Sequence, residues 1–334
     1  MSSVELQINI HPNDWRYFRL MATHQIRKLS GQIDGVRLTL DLHNSFSGRY
    51  RSSQYELNTS AIKEEINSLQ QCFPNVICEE VDYSPQTKKQ VAKFFFNLQT
   101  IPDKAWDGGP FYSYLYGIWS SKLDYVIHID SDMFFGGSSL SWVKEALTLL
   151  NSDSRLVFVS PLSGPPHPDG FLFGHHLQGN MPILKHGLPN AYLFQSVSTR
   201  IFLTSKKLIA EKFGVMDMVR PGVIMRVKAF LLGNSASARE LEVIFSKNLQ
   251  KRDLYRMDFL GSKGGMWSLH PPFRSEMFYR KLANLISDIE NDFVPITQFG
   301  KYDIVDDLVD WSDQRRHRKI KNLFKQLKAV LRLY

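Results

Sequence analysis

The chain has 334 residues, 43% apolar and 22% charged, the balance of a globular protein with a sizeable core rather than a disordered one. Lys and Arg exceed Asp and Glu by 41 − 33 = +8, which favours an anionic partner such as a phosphate ligand, a nucleic acid or an acidic membrane face. Cys72 and Cys78 are too few for a disulfide framework or a cysteine zinc site. No apolar run nears the roughly 20 residues of a membrane span, and MSSVELQINIHPNDW lacks a secretory pattern. A cytoplasmic protein, soluble or peripheral at a membrane, is expected.

VELQINI (4–10) reads as a first strand. A helix follows in NDWRYFRLMATHQIRKLSG, with Asn13 or Asp14 to cap it and Gly31 to stop it. VRLTLDL is a second strand. Ile62, Ile66, Leu69 and Phe73 recur at helical spacing before Pro74 ends the run. NVICEEVDY is a third strand, SPQTKKQVAKFFFNL a helix with Pro85 in its first turn, and PFYSYLYGIWSS a helix from Pro110. DYVIHID is almost wholly apolar and suits the middle of a sheet. Alternation of this kind predicts an α/β chain with a doubly wound, mostly parallel sheet, which binds ligands at the carboxyl ends of its strands.

The second half contributes the strand RLVFVSP, the loop SGPPHPDGFLFGHHLQGN, a strand running into a helix in VSTRIFLTSKKLIAEKFG, and helices in ARELEVIFSKNLQKR and EMFYRKLANLISDI. GSKGGMWSLHPPFRS reads as a loop. The organisation expected is a nucleotide-binding half over 1–155, a second half over 156–305, and a basic tail over 306–334. In that tail Ile320, Leu323, Phe324, Leu327, Val330, Leu331 and Tyr334 form an apolar stripe amid Lys and Arg. It suits either a terminal helix packed on the globule or, over 315–334, an anionic membrane surface.

The chemistry centres on HIDSDMFFGG. A lone Asp-X-Asp is weak evidence, since roughly one is expected by chance in a chain of this length. Here Asp130 and Asp132 follow an apolar strand and precede a Gly-Gly turn. At a strand end one carboxylate can reach Mg²⁺ or Mn²⁺ while the other meets a ribose or a metal-bound water. The alternative is a capped turn before SWVKEALTLL.

The pattern VIHIDSDMFF after three strand-helix units resembles the DXD signature of GT-A fold, nucleotide-sugar-dependent glycosyltransferases, most closely glycosyltransferase family 2. STRIFLTSKKL resembles the segment after the family's acceptor loop, RELEVIF its acidic helix start, and WSLHP its His-bearing loop over the diphosphate. The resemblance spans about residues 4–285 and implies a GT-A type, Rossmann-like fold with a C-terminal acceptor-binding half. It implies Asp130 on ribose and metal, Asp132 as the main metal ligand, His270 as a further ligand, and Mn²⁺ or Mg²⁺ as cofactor. It places Asp41 and His11 at the nucleotide base and Glu240 as general base, with Glu242 its rival. Asp107 before Gly108-Gly109 could meet the donor sugar, or simply form a turn. Trp267 could stack on an acceptor sugar, or belong to the core.

The expected activity is a metal-dependent, inverting transfer of sugar from a nucleotide diphosphate sugar, with a UDP-sugar first choice, to a glycan or lipid-linked hydroxyl. The family's pattern has Asp at the position of Glu240 and Glu at that of Arg239, and LDLHNS replaces its usual acidic-plus-Ser turn. The alternatives are a nucleotidyltransferase, although HPNDW is no Gly-rich loop, and a basic lipid- or nucleic-acid-binding protein. Basic density peaks in the tail rather than the cleft, so no nucleic acid is expected. His167, His175, His176 and His186 match no zinc spacing and read as loop residues.

Overall fold

The computed structural model describes residues 2–44, 53–174, 183–184 and 187–316. The tail stripe and His175, His176 and His186 lie outside the described residues.

β1 (Val4–Ile10) is central and pairs in parallel with β2 (Gly35–Leu40) and, on its other side, with β4 (Tyr125–Asp130). β3 (Val76–Glu80) continues the sheet beyond β2. Helices α1 (Trp15–Leu29), α2 (Tyr55–Cys72), α3 (Pro85–Phe96) and α4 (Tyr112–Trp119) lie between these strands. β5 (Phe134–Gly136) and α5 (Trp142–Ser152) precede β6 (Leu156–Ser163). Next come β7 (Ile183–Leu184), β8 (Ala191–Phe194), β9 (Ile201–Thr204), α6 (Lys206–Phe213), α7 (Val223–Leu231) and α8 (Leu241–Lys251). β10 (Tyr255–Phe259), β11 (Trp267–Leu269) and α9 (Glu276–Glu290) close the order. The main path runs β3-β2-β1-β4-β9-β6-β10-β8-β7, so the sheet crosses residue 155 without a break. β9 is antiparallel to both β4 and β6, and β8 is antiparallel to β10. The expected doubly wound, mostly parallel sheet is what the chain forms.

The chain winds from β1 outward to β3, then returns to place β4 on the far side of β1. Strand order therefore reverses between β1 and β4, and a crevice opens at such a point beyond the carboxyl ends. Asn9 is opposite Asp130 in register, so the loops starting at His11 and at Ser131 leave side by side.

Both faces of β1 are covered. Leu6, Ile8 and Ile10 join the core with Phe18, Ile62 and Ile66 of α1 and α2. The alternate positions Glu5, Gln7 and Asn9 are buried too, under the face covered by α4. Most of their polar atoms find partners: Arg37 donates to Glu5 at 2.6 and 3.0 Å, as well as to Glu79 at 2.9 Å and to the Gly117 carbonyl at 2.7 Å, Gln7 Nε2 donates to Asn9 at 2.9 Å, and Asn9 donates to the Ile129 carbonyl at 3.1 Å. A Cβ on Gly117 would meet Gln7 Nε2 at 2.9 Å, so any larger residue there would have to push the Gln7 amide aside.

α1 is entered differently from expectation. A 3₁₀ turn over Pro12–Asp14 precedes it, and the His11 ring caps that turn by accepting from the Asn13 N–H at 3.2 Å. Asp14 reaches back to accept from the His11 N–H at 2.9 Å, so it makes no forward cap to α1. The stretch read as a loop after residue 260 contains β11, which pairs with β5 and β6.

Candidate active site

At the lip of β4, Tyr114 donates its hydroxyl hydrogen to Asp130, and the Asp130 N–H donates to the Arg200 carbonyl at 2.8 Å. Ser131 points the other way, donating to Asp14 at 3.0 Å and touching the Tyr17 hydroxyl at 3.2 Å. Tyr17 donates to Asp14 as well, at 2.6 Å. Asp14 thus ties the first loop to the residue between the two aspartates and holds both carboxylates at the crevice.

Asp132 is completely buried. Its Oδ2 accepts from the Arg274 guanidinium and lies 3.8 Å from His270 Nε2, while its Oδ1 has no hydrogen-bond partner. Burial pushes the Asp132 carboxyl upward, but Arg274, His270 and Arg200 outweigh it and hold it below the usual range. Asp130 goes the other way: burial, then the charge of Asp132, raises it well above an ordinary carboxylate. Two interacting acids titrate as a pair, and this pair favours one negative charge over two. Arg200, on the loop before β9, faces both aspartates and Glu242 from a largely buried position. Arg274 also covers the Tyr17 ring at 5.7 Å.

His270 follows β11. It stacks on Tyr302 at 6.0 Å between ring centroids and approaches Asp303 at 3.3 Å through Nδ1. Burial, with Arg200 next, lowers its pKa, which favours the neutral ring with its imidazole lone pair.

No group of three His, Cys, Asp or Glu among the described residues is arranged to hold a metal ion. Mg²⁺ and Mn²⁺ commonly take one or two carboxylates and complete their shell with water and phosphate oxygens. Asp132 Oδ1, a buried carboxylate oxygen lacking a donor, beside Asp130 fits that demand. Arg274 holds the other oxygen and is the local competitor for a cation.

A second cluster lies at the ends of β1, β2 and β3. Asp41 is buried; its Oδ2 pairs with Lys104 at 2.6 Å, and its Oδ1 accepts from the Tyr83 hydroxyl at 2.8 Å and the His43 N–H at 2.9 Å. Burial raises this carboxyl, but Lys104 more than reverses the effect and leaves it far below the usual range. His11 and Tyr55 stand near it with ring centroids 6.5 Å apart. His11, Asp41, Tyr55 and Tyr83 make an aromatic-walled polar corner beside the crevice.

The remaining expected residues are placed as follows. Asp107 accepts from the Gly109 N–H at 2.9 Å, forming the turn. That loop is tied to the start of α8, since the Trp106 N–H donates to the Ala238 carbonyl at 3.1 Å. Glu240 occupies the N-cap position of α8 but caps nothing, and Arg239 donates to it at 2.8 Å. Burial works against its charge, yet Arg239 and then the residue's own backbone N–H keep the carboxyl below the usual range. Glu242 accepts from the Thr199 N–H at 3.3 Å.

Trp267 needs correction. It is 3% exposed within the core, and a Cβ on Gly136 would lie 1.9 Å from its ring. The indole fills the space left by that glycine across the β5–β11 pair and has no free face for an acceptor sugar. His167 is a turn residue, accepting from the Asp169 N–H at 3.1 Å.

The fold is thus a doubly wound α/β sheet with a reversal of strand order, an antiparallel β9 and an acidic pair at the β4 lip. No protein-family model matches the chain, and no curated protein matches it in sequence. Among solved structures, a mycobacterial protein is similar at 10% identity and TM-score 0.36, over 86% of this chain and 73% of that one. S. aureus TarS 1-349 in complex with UDP-GlcNAc is similar at 8% identity and TM-score 0.37, over 79% of this chain and 58% of that one. Glucosyl-3-phosphoglycerate synthase from Mycobacterium tuberculosis, in complex with Mn²⁺, UDP-glucose and phosphoglyceric acid, is similar at 11% identity and TM-score 0.32, over 75% and 79%. The chain spans less than two thirds of the TarS chains, and 36% of the longer one. TM-scores this low leave the fold to rest on the chain's own strand order. No helix among the described residues is long and apolar enough to cross a membrane.

Proposed function

We propose that the chain is a metal-dependent glycosyltransferase that moves a sugar from a nucleotide diphosphate sugar to an acceptor hydroxyl. The observation carrying this is the position of the acidic pair. Asp130 and Asp132 stand where strand order reverses, next to an aromatic-walled corner and beside two arginines suited to phosphate.

In this reading the base lies by His11, Tyr55 and Tyr83, with Asp41 as hydrogen-bond acceptor. The diphosphate lies at the β4 lip. Asp130 and Asp132 would hold Mn²⁺ or Mg²⁺, with His270 within reach. The ion supplies compensation for the charge that grows on the diphosphate as it leaves. Arg200 and Arg274 add fixed positive charge at the same place, and guanidinium groups match phosphate geometry. Glu240 is the base. It is ionised at neutral pH and partly exposed, and it adjoins the Trp106–Asp107 loop. As the acceptor oxygen bonds to the anomeric carbon, Glu240 takes its proton and the bond to the diphosphate oxygen breaks. One such in-line displacement inverts the anomeric centre. Glu242 orients Thr199 and, through its charge, Arg200.

The test is a panel of UDP-, GDP- and dTDP-sugars scored for thermal shift and for slow hydrolysis, each with and without Mn²⁺. A shift and a hydrolysis product with one donor, both dependent on the ion, are expected. No shift with any donor, or the same shift without the ion, overturns the reading.

A further inference from the structure

A second surface stands out, far in sequence from the aspartate pair. α7 buries only Ala229. Ile224 and Phe230 are 73% and 82% exposed, and Val223, Val227 and Leu231 are exposed as well. At about 100° per residue these five positions fall on one face of the helix, while Arg226 and Lys228 fall on its two edges. Both basic side chains are exposed. From 218 to 239 there is no acidic residue, and Arg220, Arg226 and Lys228 form no ion pair among the described residues. An apolar face bounded by bare cations is costly in water, and soluble monomers seldom keep such a patch uncovered.

We propose that α7 docks on an anionic lipid bilayer, its apolar face entering the headgroup–acyl boundary while Arg226, Lys228 and Arg220 meet lipid phosphates. Charge selects this occupant. A second copy of the same helix would bring cations against cations. The basic segment 315–334 carries no acidic residue either, so it is repelled by this rim rather than drawn to it. A surface with net negative charge satisfies both the apolar face and the rim. The location suits the chemistry too. Asn234, just beyond α7, donates to the Trp106 carbonyl at 3.2 Å, and Ala238 accepts from the Trp106 N–H, so the segment that leads from α7 to Glu240 is tied to the Trp106 loop.

Co-sedimentation of the full chain with phosphatidylcholine vesicles, with and without phosphatidylglycerol, tests this with no donor or metal present. Its failure therefore leaves the transferase reading untouched. Wild type is expected to bind vesicles containing phosphatidylglycerol and to be released by salt. The double variant Ile224→Glu/Phe230→Glu should bind roughly tenfold or more weakly. Arg226→Gln and Lys228→Gln should each cost about fivefold, on anionic vesicles only. All these residues are exposed, so far-UV circular dichroism and melting temperature should not change. Variants that sediment like wild type would assign binding to another segment and overturn the proposal. Failure of wild type to sediment would overturn it, as would a dimer that the α7 variants dissociate while leaving vesicle binding intact.

Discussion

Replacing Lys104 by Met tests whether the corner beside the crevice is built as described. Lys104 and Asp41 are 2.6 Å apart with side chains 10% and 9% exposed, so neither charge is rescued by bulk water. Removing one partner of such a pair typically costs about 3–5 kcal/mol. Asp41 retains the His43 N–H and the Tyr83 hydroxyl, which places the variant near the low end, about 3 kcal/mol. At roughly 2 °C per kcal/mol for a large domain, that is a melting temperature about 6 °C lower. The sign of the pH dependence is sharper evidence. In wild type the folded pKa of Asp41 is depressed, so its contribution is present above the unfolded value near ~3.9 and is lost as pH falls through the folded one. Without Lys104, burial raises that pKa above the unfolded value. The deficit should then be small near pH ~4 and grow as pH rises through the new pKa. Urea denaturation of both proteins across that range measures it, and Asp41→Asn/Lys104→Met should recover most of the loss. Equal stability of wild type and Lys104→Met at every pH would show that the charges do not meet in a buried site.

Gly136→Ala should destabilise the chain by about 1–3 kcal/mol in the same denaturation assay, because its Cβ has no room beside the Trp267 ring; an unchanged midpoint would free the indole. Burial, then the charge of Arg37, lowers His128 to about 3, so the ring is neutral in the folded state. Stability should be full above ~6.5 and fall by about 1.4 kcal/mol per unit as pH drops toward 3, and His128→Phe should flatten that slope. Glu240→Gln should cut turnover by about 10²–10⁴-fold with little change in donor affinity. A normal rate would pass the proton transfer to Glu242 or another group.

Much of the frame was legible because local patterns agree with the tertiary structure. VELQINI is a strand at its predicted residues, Ser84 caps α3 by accepting from the Thr87 N–H, and YVIHID is the apolar strand ending in Asp130. What escaped notice depends on distant partners. Glu5, Gln7 and Asn9 are polar positions on a strand that α4 covers, and Arg37 and Gly117, from other segments, help make that burial tolerable. Arg200 and Arg274 carry no local signature; they matter because β9 and the turn after β11 bring them to the acidic pair. Trp267 left a sugar-stacking role and a core position both open in the sequence, and the glycine that buries it lies on β5. α7 lacks the polar half that marks a helix packed on a globule, and its meaning lies in that lack.

The central claim, that the two aspartates at the β4 lip bind an ion together with a nucleotide diphosphate, is most directly tested by calorimetric titration of UDP, with and without Mn²⁺, into wild type and Asp132→Ala. Binding that needs the ion in wild type and disappears in a folded Asp132→Ala protein is predicted. Ion-independent binding of equal strength in both proteins would contradict it.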